Sequence, residues 1–217
     1  MDYTKVRLNM VESQLRPNQV INEQLLEAFG AVPRESFVED SAQHFAYLDE
    51  DIRVGAGRYL MEPRVLGRLL QVADVQPDDM VLVVGCNSGY SAALLGHLAT
   101  TVVALESDHE LVARASALLQ ELGADNVVLV EGPLKDGYAK QGPYSLILID
   151  GGVEEVPEAL AGQLADGGRL LAVIQDEQGV GRATLMRRDG EIVSSRYLFD
   201  ASVPLLSEFT REKGFVF

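Results

Sequence analysis

The sequence predicts an α/β protein built on a doubly wound, mostly parallel sheet, and three observations carry that expectation. Apolar runs recur at Val81 to Val84, Val102 to Leu105, Val127 to Val130, Leu146 to Ile149 and Leu170 to Ile174. Each is short and uninterrupted, as suits strands covered on both faces. Most of the spans between them have helical character, and strand, helix, strand in that rhythm implies right-handed crossovers. The tail changes character: Ala183 to Arg188 and Ile192 to Phe199 flank Asp189-Gly190, a hairpin signal, so the sheet is expected to end in antiparallel strands.

The elements follow in order. Asn22 to Phe29 reads as a capped helix, and Val32-Pro33-Arg34 interrupts it. Pro63 opens another helix running through Ala73, with Val65, Leu66, Leu69, Leu70 and Val72 as its buried face. Between the two lies Gly55-Ala56-Gly57-Arg58-Tyr59-Leu60-Met61-Glu62-Pro63, either a lid over a ligand or a plain connection. After the first core strand, Ser88 to Ala99 and Asp108 to Gly123 read as amphipathic helices. The second carries Leu111, Val112, Leu118, Leu119 and Leu122 on its apolar side and Gly123 as its stop. The whole of 1–217 is expected to be one domain, with helices and a loop over 1–79 and a ligand-binding core with a C-terminal hairpin over 80–217.

Composition narrows the function classes. Lys and Arg total 18 against 33 Asp and Glu, a net charge of -15, a field that repels a phosphate backbone. No nucleic-acid partner is expected. No stretch approaches a membrane span and Met1-Asp2-Tyr3-Thr4-Lys5 lacks the apolar core of a secretion signal, so a cytoplasmic protein without a membrane partner is expected. Cys86 is the sole cysteine and His44, His97 and His109 lack ligand spacing, which argues against a disulfide or a cysteine-based zinc site.

The most informative segment is Val81-Leu82-Val83-Val84-Gly85-Cys86-Asn87-Ser88-Gly89-Tyr90, followed by a second apolar run ending on Glu106-Ser107. A strand breaks into a glycine turn, a helix starts, and the next strand ends on a carboxylate able to accept both hydroxyls of a ribose. A dinucleotide turn needs a second glycine two residues after the first so that the backbone can lie against pyrophosphate, and Asn87 stands there. S-adenosylmethionine has no phosphate and needs only close backbone approach. The reading requires Glu106 to point inward and the hollow over Gly85 to be free of bulky groups. Gly85, Glu106, Glu131 and Asp150 are all expected at carboxyl ends of strands, where such sheets bind ligands.

The chain resembles the protein-L-isoaspartate (D-aspartate) O-methyltransferase family over nearly its whole length. The matching segments keep the family's order: Val32-Pro33-Arg34-Glu35-Ser36-Phe37-Val38, Ala46-Tyr47-Leu48-Asp49, the Gly55 to Pro63 loop and the Gly85 to Tyr90 turn. They continue with Leu122-Gly123, Asn126-Val127, Val156-Pro157, Gln163 to Leu170 and Val203-Pro204-Leu205. The resemblance implies a Rossmann-like methyltransferase fold and methyl transfer from S-adenosylmethionine to a carboxylate of isoaspartyl residues in damaged proteins or peptides. A carboxylate is ionised at neutral pH, so the task is alignment and exclusion of water rather than proton removal.

On the family's pattern the substrate loop contributes Arg58, Tyr59 and Met61, where the family carries glutamine, threonine and serine. Met61 cannot donate a hydrogen bond; Arg58 could clamp a carboxylate bidentately, Tyr59 could donate its hydroxyl, and all three have readings as solvated or packing residues. The cofactor side comprises Gly85, Cys86, Asn87, Gly89, Glu106, Ser107, Glu131, Gly132, Pro133 and Asp150. The family has an acid at the place of Val83, a glycine at Asn87 and an adenine-side Gly-Asp-Gly where this chain has Gly132-Pro133-Leu134. Asp150 reads as a group facing the sulfonium or the amine, as a metal ligand without a convincing partner set, or as the cap of a helix starting near Glu154. Two other functions stay open on these residues: a small-molecule O-methyltransferase, and a catalytically inactive cofactor-binding relative.

Overall fold

The computed structural model describes residues 1–55 and 57–210. Ahead of the core, α1 (Tyr3–Met10), a turn of wider helix (Val11–Leu15) and α2 (Glu23–Ala31) form a helical cap. Asn22 starts α2 by accepting the Leu25 amide at 3.1 Å. A small antiparallel pair follows, β1 (Ile52–Gly55) with β2 (Arg58–Leu60), and then α3 (Pro63–Ala73), which opens on its proline. The helix over 3–10 carries no strong apolar stripe and is not among the sequence-based expectations.

The core alternates β3 (Met80–Val84), α4 (Tyr90–Gly96), β4 (Thr101–Glu106), α5 (His109–Glu121), β5 (Val127–Glu131), β6 (Tyr144–Val153), the short α6 (Glu158–Ala161), β7 (Leu164–Gln175), β8 (Gly181–Asp189) and β9 (Ile192–Asp200). Among the described residues these strands form one seven-stranded sheet in the order β5-β4-β3-β6-β7-β8-β9. Pairing is parallel from β5 to β7 and antiparallel from β7 to β9. The strand order reverses at β3, so a crevice is expected above the carboxyl ends of β3, β4 and β6.

Strand periodicity divides the core in two. Val81, Val83, Val102, Ala104, Leu146, Leu148, Leu171 and Val173 face α2, α3 and α4, while Leu82, Val84, Val103, Leu105, Ile147, Ile149, Leu170 and Ala172 face the opposite side. Each valine, leucine or isoleucine among them stabilises the fold by about 1.5–3 kcal/mol through burial. The second face has little helix to cover it. Leu134, Tyr144, Leu160 and Leu164 cover part of it, and Leu206 and Phe209, after β9, cover more.

One expected helix differs at its ends and another keeps its expected bounds. Gly89 takes φ 97°, outside the helical region, so α4 starts at Tyr90 rather than Ser88, and it ends at Gly96 in a string of tighter turns through Ala99. α5 is capped by Asp108, whose carboxylate accepts the Leu111 amide at 3.0 Å, and it closes before Gly123 at φ 65°. Asp150 does not cap a helix near Glu154; it lies inside β6, and α6 begins at Glu158.

β6 and β7 lose register where the site forms. Leu148 pairs with Leu171, but the next pair is Gly152 with Val173, so β6 carries two extra residues across the gap. This bulge turns Asp150 out of the ladder. Beyond it, the Val203–Leu206 segment docks on β6: the Gly152 amide donates to Pro204 O at 2.8 Å and the Leu206 amide donates to Gly152 O at 2.8 Å. A Cβ at Gly152 would lie 2.6 Å from Val203 O. Gly152→Ala is therefore expected to lower stability by about 1–3 kcal/mol, the range for overpacking, in urea denaturation. An unchanged midpoint would show that the docked segment contributes nothing.

Candidate active site

The residues at the strand ends converge above β3. Gly85 takes φ 73°, and the amides of Gly85 and Cys86 both donate to Leu105 O, at 2.9 and 3.1 Å, which ties the turn to β4. Gly89 leaves no room for a side chain, since a Cβ there would meet that of Ala115 at 3.3 Å. Cys86 is fully buried, and burial pushes its thiol well above the ordinary range, so it stays neutral and inert.

Glu106, the last residue of β4, points inward and is wholly buried. One oxygen accepts the Asn87 amide at 2.9 Å; the other accepts the Ser107 amide at 2.8 Å and the Asp108 amide at 3.2 Å. Arg58 from β2 completes the shell, its Nε 3.1 and 3.2 Å from the two oxygens and its Nη2 3.0 Å from Oε1. Arg58 is only 2 % exposed and is shared. Its Nη1 and Nη2 also reach the Glu208 carboxylate at 3.1 and 2.5 Å, and Ser107 Oγ donates to Glu208 at 2.7 Å. Burial works against ionisation of Glu208, but the bonds from Arg58 and Ser107 outweigh it and hold the carboxyl down at about 2. The same two carboxylates overcome burial at Arg58 and raise its pKa.

The hollow over Gly85 is not open. A Cβ built on Gly85 would lie 3.1 Å from Leu206 Cδ1 and 3.5 Å from Leu134 Cδ1, and one on Gly151 would lie 2.6 Å from Leu206 Cγ. Of the two conditions the sequence set for a nucleoside site, the inward carboxylate is met and the free hollow is filled by Leu206. Four cavities of roughly 280–600 Å³ lie elsewhere on the molecule, away from Gly85, Glu106 and Asp150.

Asp150 forms the other end of the site. It is 3 % exposed; its Oδ2 accepts from Ser91 Oγ at 2.6 Å and Asn87 Nδ2 at 3.1 Å, while Oδ1 has no partner. Burial pushes its pKa up to about 7, against the pull of Ser91 and Arg34. Arg34 is fully buried beneath the loop, donating to Ala46 O at 2.6 Å and Met61 O at 2.9 Å and lying 5.0 Å over the Tyr90 ring. Burial lowers its pKa.

The remaining expected site residues separate. Met61 is buried in the core and meets its surroundings through its carbonyl, which supports packing over contact with a substrate. Tyr59 is half-buried, and its carbonyl lies 3.5 Å from Asn87 Nδ2. Glu131 is turned to the surface, 2.8 Å from His109 Nδ1; the Gly132 amide donates to Glu106 O at 3.0 Å, and Pro133 is exposed. Among the described residues no group of three or more His, Cys, Asp or Glu is placed to hold a metal ion. Leu206, Glu208 and Arg34 were not expected in the site. Leu206-Ser207-Glu208 directly follows Val203-Pro204-Leu205, so the resemblance stopped one residue short of them; nothing in the sequence around Arg34 marks it as buried.

The sequence profile of the protein-L-isoaspartate(D-aspartate) O-methyltransferase family matches residues 7–209. A Koribacter versatilis protein-L-isoaspartate O-methyltransferase is 34 % identical over 200 residues, covering 92 % of this chain and 90 % of the relative. One from Methanoculleus marisnigri is 31 % identical, over 94 % and 92 %. A solved protein-L-isoaspartate O-methyltransferase superposes with TM-score 0.83 at 23 % identity, covering 94 % of this chain and 67 % of that one. A Plasmodium falciparum structure described as a protein-L-isoaspartate O-methyltransferase in complex with S-adenosyl-L-homocysteine superposes with TM-score 0.80 at 18 % identity, over 93 % and 98 %.

Asp150 gives the site a pH signature. Its folded pKa of about 7 lies above the ordinary 3.8, so between those values the folded state binds a proton that the unfolded state has lost. Stability is then full below about pH 4, declines as pH rises towards 7, and is flat above, by at most about 4 kcal/mol. Asp150→Asn removes that decline. Parallel urea-stability profiles for wild type and variant from pH 4 to 8 would refute the assignment.

Proposed function

The chain belongs to the protein-L-isoaspartate(D-aspartate) O-methyltransferase family, and from that premise we propose that it transfers a methyl group from S-adenosylmethionine to a carboxylate of isoaspartyl residues in proteins or peptides. The single observation that carries the reading at the level of atoms is Glu106, a buried carboxylate at the end of the second core strand beside a glycine turn. The donor set suits a nucleoside without phosphate. Glu106 faces the sugar position, the Gly85–Gly89 turn supplies bare backbone, and Asp150 turns an unpartnered oxygen inward at the far end. Gly85, Cys86, Asn87, Gly89, Ser107, Glu131, Gly132 and Pro133 complete the cofactor side. Arg58 and Tyr59 form the loop side, with Met61 as packing beneath it.

When bound, S-adenosylmethionine supplies an electrophilic methyl on a sulfonium. The chain's residues do the rest by placement. The acceptor carboxylate arrives ionised, so no side chain has to remove a proton. Attack of an anion on a cation disperses charge, and a site walled by Leu206, Tyr59 and the β2 loop favours it by excluding water. Asp150, titrating near 7, adds negative charge facing the sulfonium end only as far as it is ionised. The chain's acidity, a net charge of -15, goes with action on protein substrates rather than on nucleic acid.

The test offers radiolabelled cofactor with an isoaspartyl peptide and with its aspartyl twin. Label in the isoaspartyl peptide alone is expected; cofactor binding without label in either would move the assignment to another acceptor. Glu106→Ala is expected to weaken cofactor binding by about 1.5–3 kcal/mol, the scale of a charge-assisted hydrogen bond, in a calorimetric titration. Unchanged affinity would remove Glu106 from the site.

A further inference from the structure

We propose that this chain carries its own gate on the nucleoside site: Arg58 occupies the sugar-binding carboxylate and Leu206 roofs the glycine turn, so that ligand entry requires both to withdraw. The inference rests on the functional reading above. A carboxylate offers about four lone-pair positions, and Glu106 already receives five donors, three of them backbone amides that belong to the fold and two of them from Arg58. No acceptor capacity is left for ribose hydroxyls while Arg58 is in place. Only the Arg58 donors can be exchanged without breaking the β4 end.

The pieces of the gate come from two distant parts of the chain and act together. Arg58 belongs to the β1–β2 pair, which is separate from the main sheet among the described residues. Leu206 and Glu208 belong to the segment docked on β6, and within three residues that segment supplies both the methyls over Gly85 and a second carboxylate for Arg58. The second carboxylate is what makes opening feasible. An arginine pulled from a buried partner with nothing to replace it would be left as a stranded charge, whereas Arg58 can leave Glu106 and remain paired to Glu208. Closed and open forms then differ by an exchange of partners at Glu106, guanidinium for sugar hydroxyls, which is the differential contact a ligand needs to shift such an equilibrium.

The test is calorimetric titration of wild type, Arg58→Ala and Leu206→Ala with S-adenosyl-L-homocysteine, with the ligand-induced rise in Tm as a second readout. Arg58→Ala is expected to bind at least tenfold more tightly than wild type, and Leu206→Ala several-fold more tightly. Should Arg58→Ala fail to fold, Leu206→Ala carries the test alone. Wild type that binds the ligand while both variants bind equally or more weakly overturns the gate and leaves the functional reading intact. Absence of binding in all three proteins at millimolar ligand overturns both.

Discussion

A carboxylate removed entirely from water must find its compensation inside the protein, and the way Glu106 does so organises everything around it. Three backbone amides converge on it from the Gly85 turn and the start of α5, so the charge fixes the geometry of both connections at once. Hydrogen bonds from amides to a charged acceptor are worth about 1.5–3 kcal/mol each. The left-handed backbone at Gly85, Asn87 and Gly89 is what aims the first of them. The turn thus serves the carboxylate as much as any ligand.

Arg58 adds a second layer that the fold does not require. Its guanidinium joins the β2 strand to the end of β4 and to the short turn over Ser207–Phe209, at sequence separations of 48 and 150 residues. Charge within this cluster sums to one excess negative, and its two carboxylates are served by six nitrogen donors and the Ser107 hydroxyl. Such a pair is costly to break by deletion and cheap to exchange for another polar partner, which makes it suited to holding a site closed and poorly suited to contributing net stability.

The sequence made the sheet legible because both faces of β3, β4 and β6 are buried, leaving apolar runs with no polar interruption, and because Asn22, Asp108 and Gly123 mark helix ends by local chemistry. The inward carboxylate at Glu106 was legible for the same reason: its distance from the glycine turn follows from one strand-helix-strand unit. The closure of the site was not. Leu206 and Glu208 reach it through long-range docking on a two-residue bulge in β6, and neither a bulge nor the path of an irregular segment leaves a periodic signal. Arg58 presented a donor fork in the sequence, and nothing there distinguished a substrate's carboxylate from the chain's own. Arg34 likewise reads as an ordinary surface cation until the fold places it under Tyr90.

Asn87 shows how a single departure from the family's pattern reshapes the whole crevice. The resemblance places a glycine at this position, and glycine could supply the backbone donor to Glu106 at the same positive φ. Asparagine supplies that donor and tolerates φ 46°, and its side chain also reaches Asp150 at 3.1 Å and accepts the Ser88 amide at 2.6 Å. The sugar end and the Asp150 end of the site are therefore joined through one residue, where a glycine would leave them independent. Asp150 in turn keeps a neutral form accessible because burial disfavours its charge more than the bonds from Ser91 and Asn87 favour it. Among the described residues Asn87 is thus the one that donates to both carboxylates, through its backbone to Glu106 and through its side chain to Asp150. The departures at Asn87 and Arg58 thus meet at one carboxylate, Glu106, which takes a donor from each.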